Sequence, residues 1–100
     1  MTEYSAGGRI DVWLWHARFF KTRADAASFV SAARIRLFRA GVESRLDKPS
    51  RSVRPGDELI FALAGRVRAV RITAMGVRRG SAADARTLYD LLDDSDPRSD

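Results

Sequence analysis

Cysteine is absent from the 100 residues, so no disulfide and no thiolate metal site can form. No run of about 18 apolar residues occurs, so no helix is expected to cross a membrane. Histidine occurs once, as His16, with no second residue to complete a ligand set or a nucleophile–base pair. A phosphate-cradling glycine loop is also missing. With these absences no catalytic activity is expected, and neither is a metal or cofactor. Met1 to Gly8 lacks the basic start and apolar core of a secretory signal. The expected compartment is the cytoplasm.

What is present is basic charge. Lys and Arg total 18 against 13 acidic residues, and the pI is about 10.7. That balance points to a polyanionic partner. Sixteen of the 18 are Arg, whose planar fork matches phosphate and stacks on bases. The charge is unevenly placed. Arg9 to Arg54 holds nine Arg and two Lys against four acidic residues, whereas Ser81 to Asp100 holds two Arg against six Asp. A genome rich in G and C explains an excess of Arg over Lys, but not this asymmetry. Hydrophobic residues make up 45%, enough for one folded domain with a modest core.

The apolar pattern divides the chain into elements. Ile10, Trp13, Leu14 and Ala17 recur at helical spacing, predicting a helix over 11–19. Thr22 and Asp25 have the spacing of a capping box and start a second helix, with Ala26, Phe29, Val30 and Ala33 on one face. Ile35 and Leu37 then alternate with arginines as a half-buried strand. Residues 40–50 read as a loop or ragged hairpin. Pro55-Gly56-Asp57 is a turn, and Leu59, Phe61 and Leu63 form the next strand. Residues 67–77 read as a longer strand whose apolar phase slips between Ala69 and Val70, predicting a bulge there. Ser81 and Asp84 start a last helix with Ala85, Leu88, Tyr89 and Leu92 on one face. The expected fold is α+β: a helical hairpin, a small mainly antiparallel sheet, and a C-terminal helix. Residues 1–8 are expected to be a flexible tail, 9–92 the domain, and 93–100 an acidic tail.

The order Arg9-Ile10-Asp11, Leu14, Thr22-Arg23, Ala26, Val30, Arg34-Ile35, Lys48-Pro49-Ser50, Val53 and Gly56-Asp57 resembles the S4 (αL-like) RNA-binding domain. The run from Trp13 to Arg23, WLWHARFFKTR, resembles that of the bacterial heat shock protein 15 family, as do Arg78-Arg79-Gly80 and Leu88-Tyr89. The resemblance spans roughly 9–89. It implies a stand-alone, non-catalytic RNA-binding domain. Its implied partner is ribosomal RNA of the large subunit, in the rescue of stalled subunits under stress. Duplex DNA is a weaker partner, no membrane is involved, and a monomer is expected. The implied RNA-binding residues are Arg9, Lys21, Thr22, Arg23, Arg34, Arg36, Lys48 and Arg51.

Plainer readings stand beside these. Thr22 is equally a helix cap. Arg18, Arg45 and Arg86 read as solvated charges. Trp13 and Trp15 are two apart on a helix, so one belongs to the core while the other is half-buried or a stacking platform for a base. The chain also departs from the family. Ser31-Ala32-Ala33 lacks the usual glycine before Arg34, the usual Asn-Gly hairpin turn is missing, and the long basic C-terminal extension is absent. A protein-interaction module using the acidic helix from Ser81, and a double-stranded DNA binder, are the alternative functions.

Overall fold

The computed structural model describes residues 7–95. Its elements in chain order are β1 (Gly8–Arg9), α1 (Ile10–His16), α2 (Arg23–Ser31), β2 (Ile35–Arg39), β3 (Val42–Leu46), β4 (Ser52–Val53), β5 (Glu58–Leu63), β6 (Arg66–Ile72), α3 (Ala82–Arg86) and β7 (Tyr89–Ser95). One sheet runs β3-β2-β5-β6-β7 with every pairing antiparallel, and β1 pairs β4 apart from it. The class is therefore α+β.

α1 is shorter than the 11–19 expected. It stops at His16 because Arg18 turns left-handed, with φ 64°. The Arg18 N–H then donates to the Trp15 carbonyl and the Phe19 N–H to the Leu14 carbonyl. That pair of bonds is the Schellman ending, here made by Arg where glycine is usual. α2 starts as predicted: the Thr22 hydroxyl accepts the Asp25 N–H at 3.0 Å. It ends at Ser31 and Ala33 then turns left-handed, φ 58°, so the turn before Arg34 is indeed made without glycine.

Residues 40–50 do not form a long loop. β2 and β3 join through a two-residue turn at Ala40 (φ 52°) and Gly41 (φ 78°). Two left-handed residues give the turn whose twist matches a hairpin, and Ala stands where Asn is usual. The predicted irregularity falls at the Ala69–Val70 step, but against β7. Ala69 faces Asp93 and Val70 faces Leu91, so Leu92 is the extra residue; β6 pairs β5 in unbroken register. β6 also ends at Ile72 rather than reaching Val77, as Thr73 turns to bond the Leu88 carbonyl.

The C-terminal helix is the largest correction. Ser81 and Asp84 do form a full capping box, yet α3 lasts only five residues. From Tyr89 the chain is a strand on the edge of β6, including Asp93, which was expected to lie in the tail. The reason is the open β6 edge: it gives Tyr89 to Ser95 backbone partners that a short surface helix lacks. The acidic residues expected on one helix are instead divided between α3, with Asp84, and β7, with Asp90 and Asp93, all exposed. Gly8, expected in the N-terminal tail, pairs with Val53. The remaining tail residues, 1–6 and 96–100, lie outside the described residues.

The core lies between the sheet and the two N-terminal helices. Leu37, Leu59 and Val70 are buried opposite one another across β2, β5 and β6. Against them pack Ile10, Trp13 and Leu14 of α1 with Ala26 and Val30 of α2. Trp13 is fully buried and its indole N–H donates to the Ala74 carbonyl at 2.9 Å. Trp15 is half-buried with its ring beside His16, at 5.4 Å between centroids.

Candidate nucleic-acid interface

The N-terminal end of α1 is where separate segments meet. Arg9 precedes the helix in an extended conformation and turns its guanidinium onto Asp11, Nε to Oδ1 at 3.0 Å and Nη2 to Oδ2 at 2.9 Å. The Asp11 side chain is 4% exposed while that of Arg9 is 51% exposed, so one carboxylate is enclosed and one cation still faces water. The Val12 N–H donates to Asp11 Oδ1 as well. Burial pushes the Asp11 carboxyl up. The Arg9 and Val12 hydrogen bonds, with the charges of Arg9 and Arg23, outweigh it and hold the group below its ordinary value. Arg9 is raised in turn, through its bond to Asp11.

The loop before β4 docks at the same point. The Ile10 N–H donates to the Arg51 carbonyl at 2.9 Å and the Asp11 N–H to the Pro49 carbonyl at 3.2 Å. The Arg51 N–H closes a turn on Lys48. Arg9 and the charge of Arg23 thus act on one enclosed carboxylate, and the backbone of the loop that carries Lys48 and Arg51 docks beside it. Lys21 and Thr22 are exposed just before α2, and the Thr22 hydroxyl serves as the helix cap.

A second basic group lies where α2 meets the sheet. Arg34, Arg36 and Arg45 line an open groove with Ile60, Phe61 and Val67. The Arg34 guanidinium sits 5.8 Å from the Phe29 ring centre. Arg36 faces Arg45 across the β2–β3 pair and contacts Glu43 at 3.6 Å. Arg45 donates to the Ala33 carbonyl at 3.0 Å, an uncharged acceptor. Arg45 was read as a solvated charge, and only the hairpin register brings it here. Arg39 goes the other way: it makes two bonds, 2.8 and 2.7 Å, to Asp57. Asp57 is 1% exposed and also accepts the Arg54 N–H, so Arg39 secures the turn before β5.

Among the described residues no group of His, Cys, Asp or Glu could hold a metal ion, and no helix is long and apolar enough to cross a membrane. His16 is buried, its Nδ1 3.3 Å from the Met75 carbonyl. The surface can therefore be described by charge and shape: two cationic groups flank α2, one at each end.

No family model matches the chain. Its fold matches the trimeric structure of heat shock protein 15 from Vibrio cholerae with a TM-score of 0.72 and 30% identity, over 85% of this chain and 81% of that one. The chain belongs to the heat shock protein 15 family. Heat shock protein 15 of Escherichia coli K12 is 32% identical over 82 residues, which are 82% of this chain and 58% of that protein. The heat shock protein 15 homologue of Haemophilus influenzae is 29% identical over 87 residues, 87% of this chain and 63% of that protein. The chain thus spans about three fifths of the length of these curated relatives. Membership in the heat shock protein 15 family accounts for the fold.

Proposed function

We propose that this chain is a non-catalytic, S4-type RNA-binding protein of the cytoplasm. Its partner is structured RNA, namely ribosomal RNA of the large subunit, and its role is the rescue of stalled subunits under stress. The observation that carries the reading is the meeting, at the N-terminal end of α1, of the half-exposed Arg9, the charge of Arg23 and the backbone of the loop bearing Lys48 and Arg51. The carboxylate enclosed there, Asp11, is already paired with Arg9, whose guanidinium side chain is still 51% exposed. Arg34, Arg36 and Arg45 extend the same sign to the far end of α2.

Such a surface recognises phosphate positions and the shape of a folded RNA, with little reading of base edges. Duplex DNA binds more weakly, because α1 and α2 put their large apolar residues into the core and present no recognition helix. Neutralising about six phosphates lowers affinity roughly 10³-fold between 50 and 200 mM salt.

The test is fluorescence anisotropy on large-subunit ribosomal RNA fragments. The variant carrying Arg23→Ala and Arg34→Ala is expected to lose about 100-fold in affinity, at about tenfold per charge-assisted contact. Wild-type affinity in that variant at physiological salt would show the site to be elsewhere. Sucrose-gradient sedimentation of cell extract then reports whether the protein travels with large subunits. The Vibrio cholerae relative is trimeric, against the monomer expected here. Sedimentation equilibrium separates a single 11.1 kDa chain from three.

A further inference from the structure

The segment between β6 and α3 carries cations that the interface above does not use. Two side-chain bonds strap it to the connection between α1 and α2. Arg18 Nη1 donates to the Gly80 carbonyl at 2.8 Å, and Arg79 Nη2 donates to the Phe20 carbonyl at 3.4 Å. Both acceptors are uncharged backbone groups, so both guanidiniums keep their full charge. Lys21 follows Phe20 and Arg78 precedes Arg79, and both are exposed. The seam therefore collects Arg18, Lys21, Arg78 and Arg79. Among the described residues none of the four pairs with a carboxylate.

A hollow opens beside this seam. His16, Val77 and Leu88 form its walls, with Arg78, Asp84 and Thr87 also lining it. Val77 is 95% exposed, held out next to Gly76 at φ 76°. The Asp84 carboxylate disfavours phosphate inside the hollow. The apolar Val77 and Leu88 and the His16 ring suit the flat face of a base.

We propose that this seam and hollow are a second RNA contact, which takes one unpaired nucleotide. Its phosphates lie along Lys21, Arg78 and the two strapping arginines, and its base enters the hollow. RNA supplies such nucleotides in loops and bulges, where bases are already unstacked. The proposal rests on the RNA-binding reading above.

Two labelled RNAs with the same stem test it, one closed by an unpaired loop and one fully paired. Val77 and Arg78 are exposed, so their variants should fold; thermal melts followed by circular dichroism check this. Arg78→Ala should bind the looped RNA about fivefold more weakly, with a log–log salt slope smaller by about one. Val77→Asn should weaken the looped RNA about fivefold and change the paired RNA less than twofold. Binding of the looped RNA by Arg78→Ala within twofold of wild type, at an unchanged slope, overturns the proposal. Equal weakening of both RNAs by Val77→Asn overturns the base-holding part. If Arg23→Ala with Arg34→Ala abolishes binding while Arg78→Ala and Val77→Asn do not weaken it, the general RNA-binding reading stands alone. If the wild type binds neither RNA, both readings fall.

Discussion

Arg9 and Arg39 make the same contact in two places. Each lays its guanidinium side-on against an enclosed aspartate, Arg9 on Asp11 and Arg39 on Asp57. Both aspartates also accept a backbone N–H, from Val12 and from Arg54. The surroundings differ. Arg39 is 32% exposed in its side chain, and its pair fixes the turn into β5. Arg9 is 51% exposed, and its pair sits where Arg23 and the loop at 48–51 also arrive. One motif thus serves as a staple in one region, and in the other it also anchors a cationic surface. Geometry alone does not separate the two roles; the neighbouring charges do.

That contrast can be broken by substitution. The largest effect on stability is expected from Asp57→Ala, which strands Arg39 and frees the turn. Urea denaturation should show a loss of about 3 kcal/mol, with RNA affinity at low temperature close to wild type. If Asp57→Ala reduced RNA affinity as strongly as the Arg23→Ala and Arg34→Ala pair does, the two regions would not be functionally distinct.

Asp11→Asn should cost less, about 1–2 kcal/mol, since the amide keeps part of the hydrogen bonding. Its signature is in pH. The folded Asp11 carboxyl is held below its ordinary value, so its stabilisation is fully present above that value and is lost as pH falls through the folded one. The stability gap between wild type and Asp11→Asn should therefore close as pH drops below about 4, the ordinary carboxylate value. A gap constant from pH 7 to pH 3 would mean that Asp11 is not held by charge. The same variant uncovers Arg9, so RNA affinity should hold or rise by about twofold at low salt.

The smallest effect concerns the helix end beside the second basic group. Ala33→Gly relieves a left-handed alanine at φ 58° and should stabilise the protein by about 0.5–1 kcal/mol, read as a higher melting temperature. No stabilisation would mean that the turn before Arg34 carries little strain.

Much of the N-terminal half was legible because its signals are local. Thr22 and Asp25 lie three apart, and so do the cap atoms they supply. The alternation of Ile35 and Leu37 reports directly on which side of β2 is covered. Legibility fell wherever a distant partner decided. Arg45 looked like any exposed cation until pairing placed it opposite Arg36. Arg39 shares a strand with Arg36, yet Asp57, 18 residues away in sequence, captured it. Ala85, Leu88, Tyr89 and Leu92 fit a helical face, but Tyr89 joined the β6 edge instead.

The sequence by itself determined the strongly basic N-terminal half, the absence of thiol chemistry, the two N-terminal helix starts and the apolar rows of the sheet. Composition and spacing of two to four residues suffice for these, because charge and local periodicity act without knowledge of the rest of the chain. Tertiary structure alone decided which cations remain available. Arg39 is held by a buried carboxylate, Arg9 is half held, and among the described residues Arg45 and Arg79 donate to neutral carbonyls. A guanidinium's charge is neutralised by whichever carboxylate the fold brings within hydrogen-bond reach, and that proximity is a property of register and packing rather than of sequence spacing.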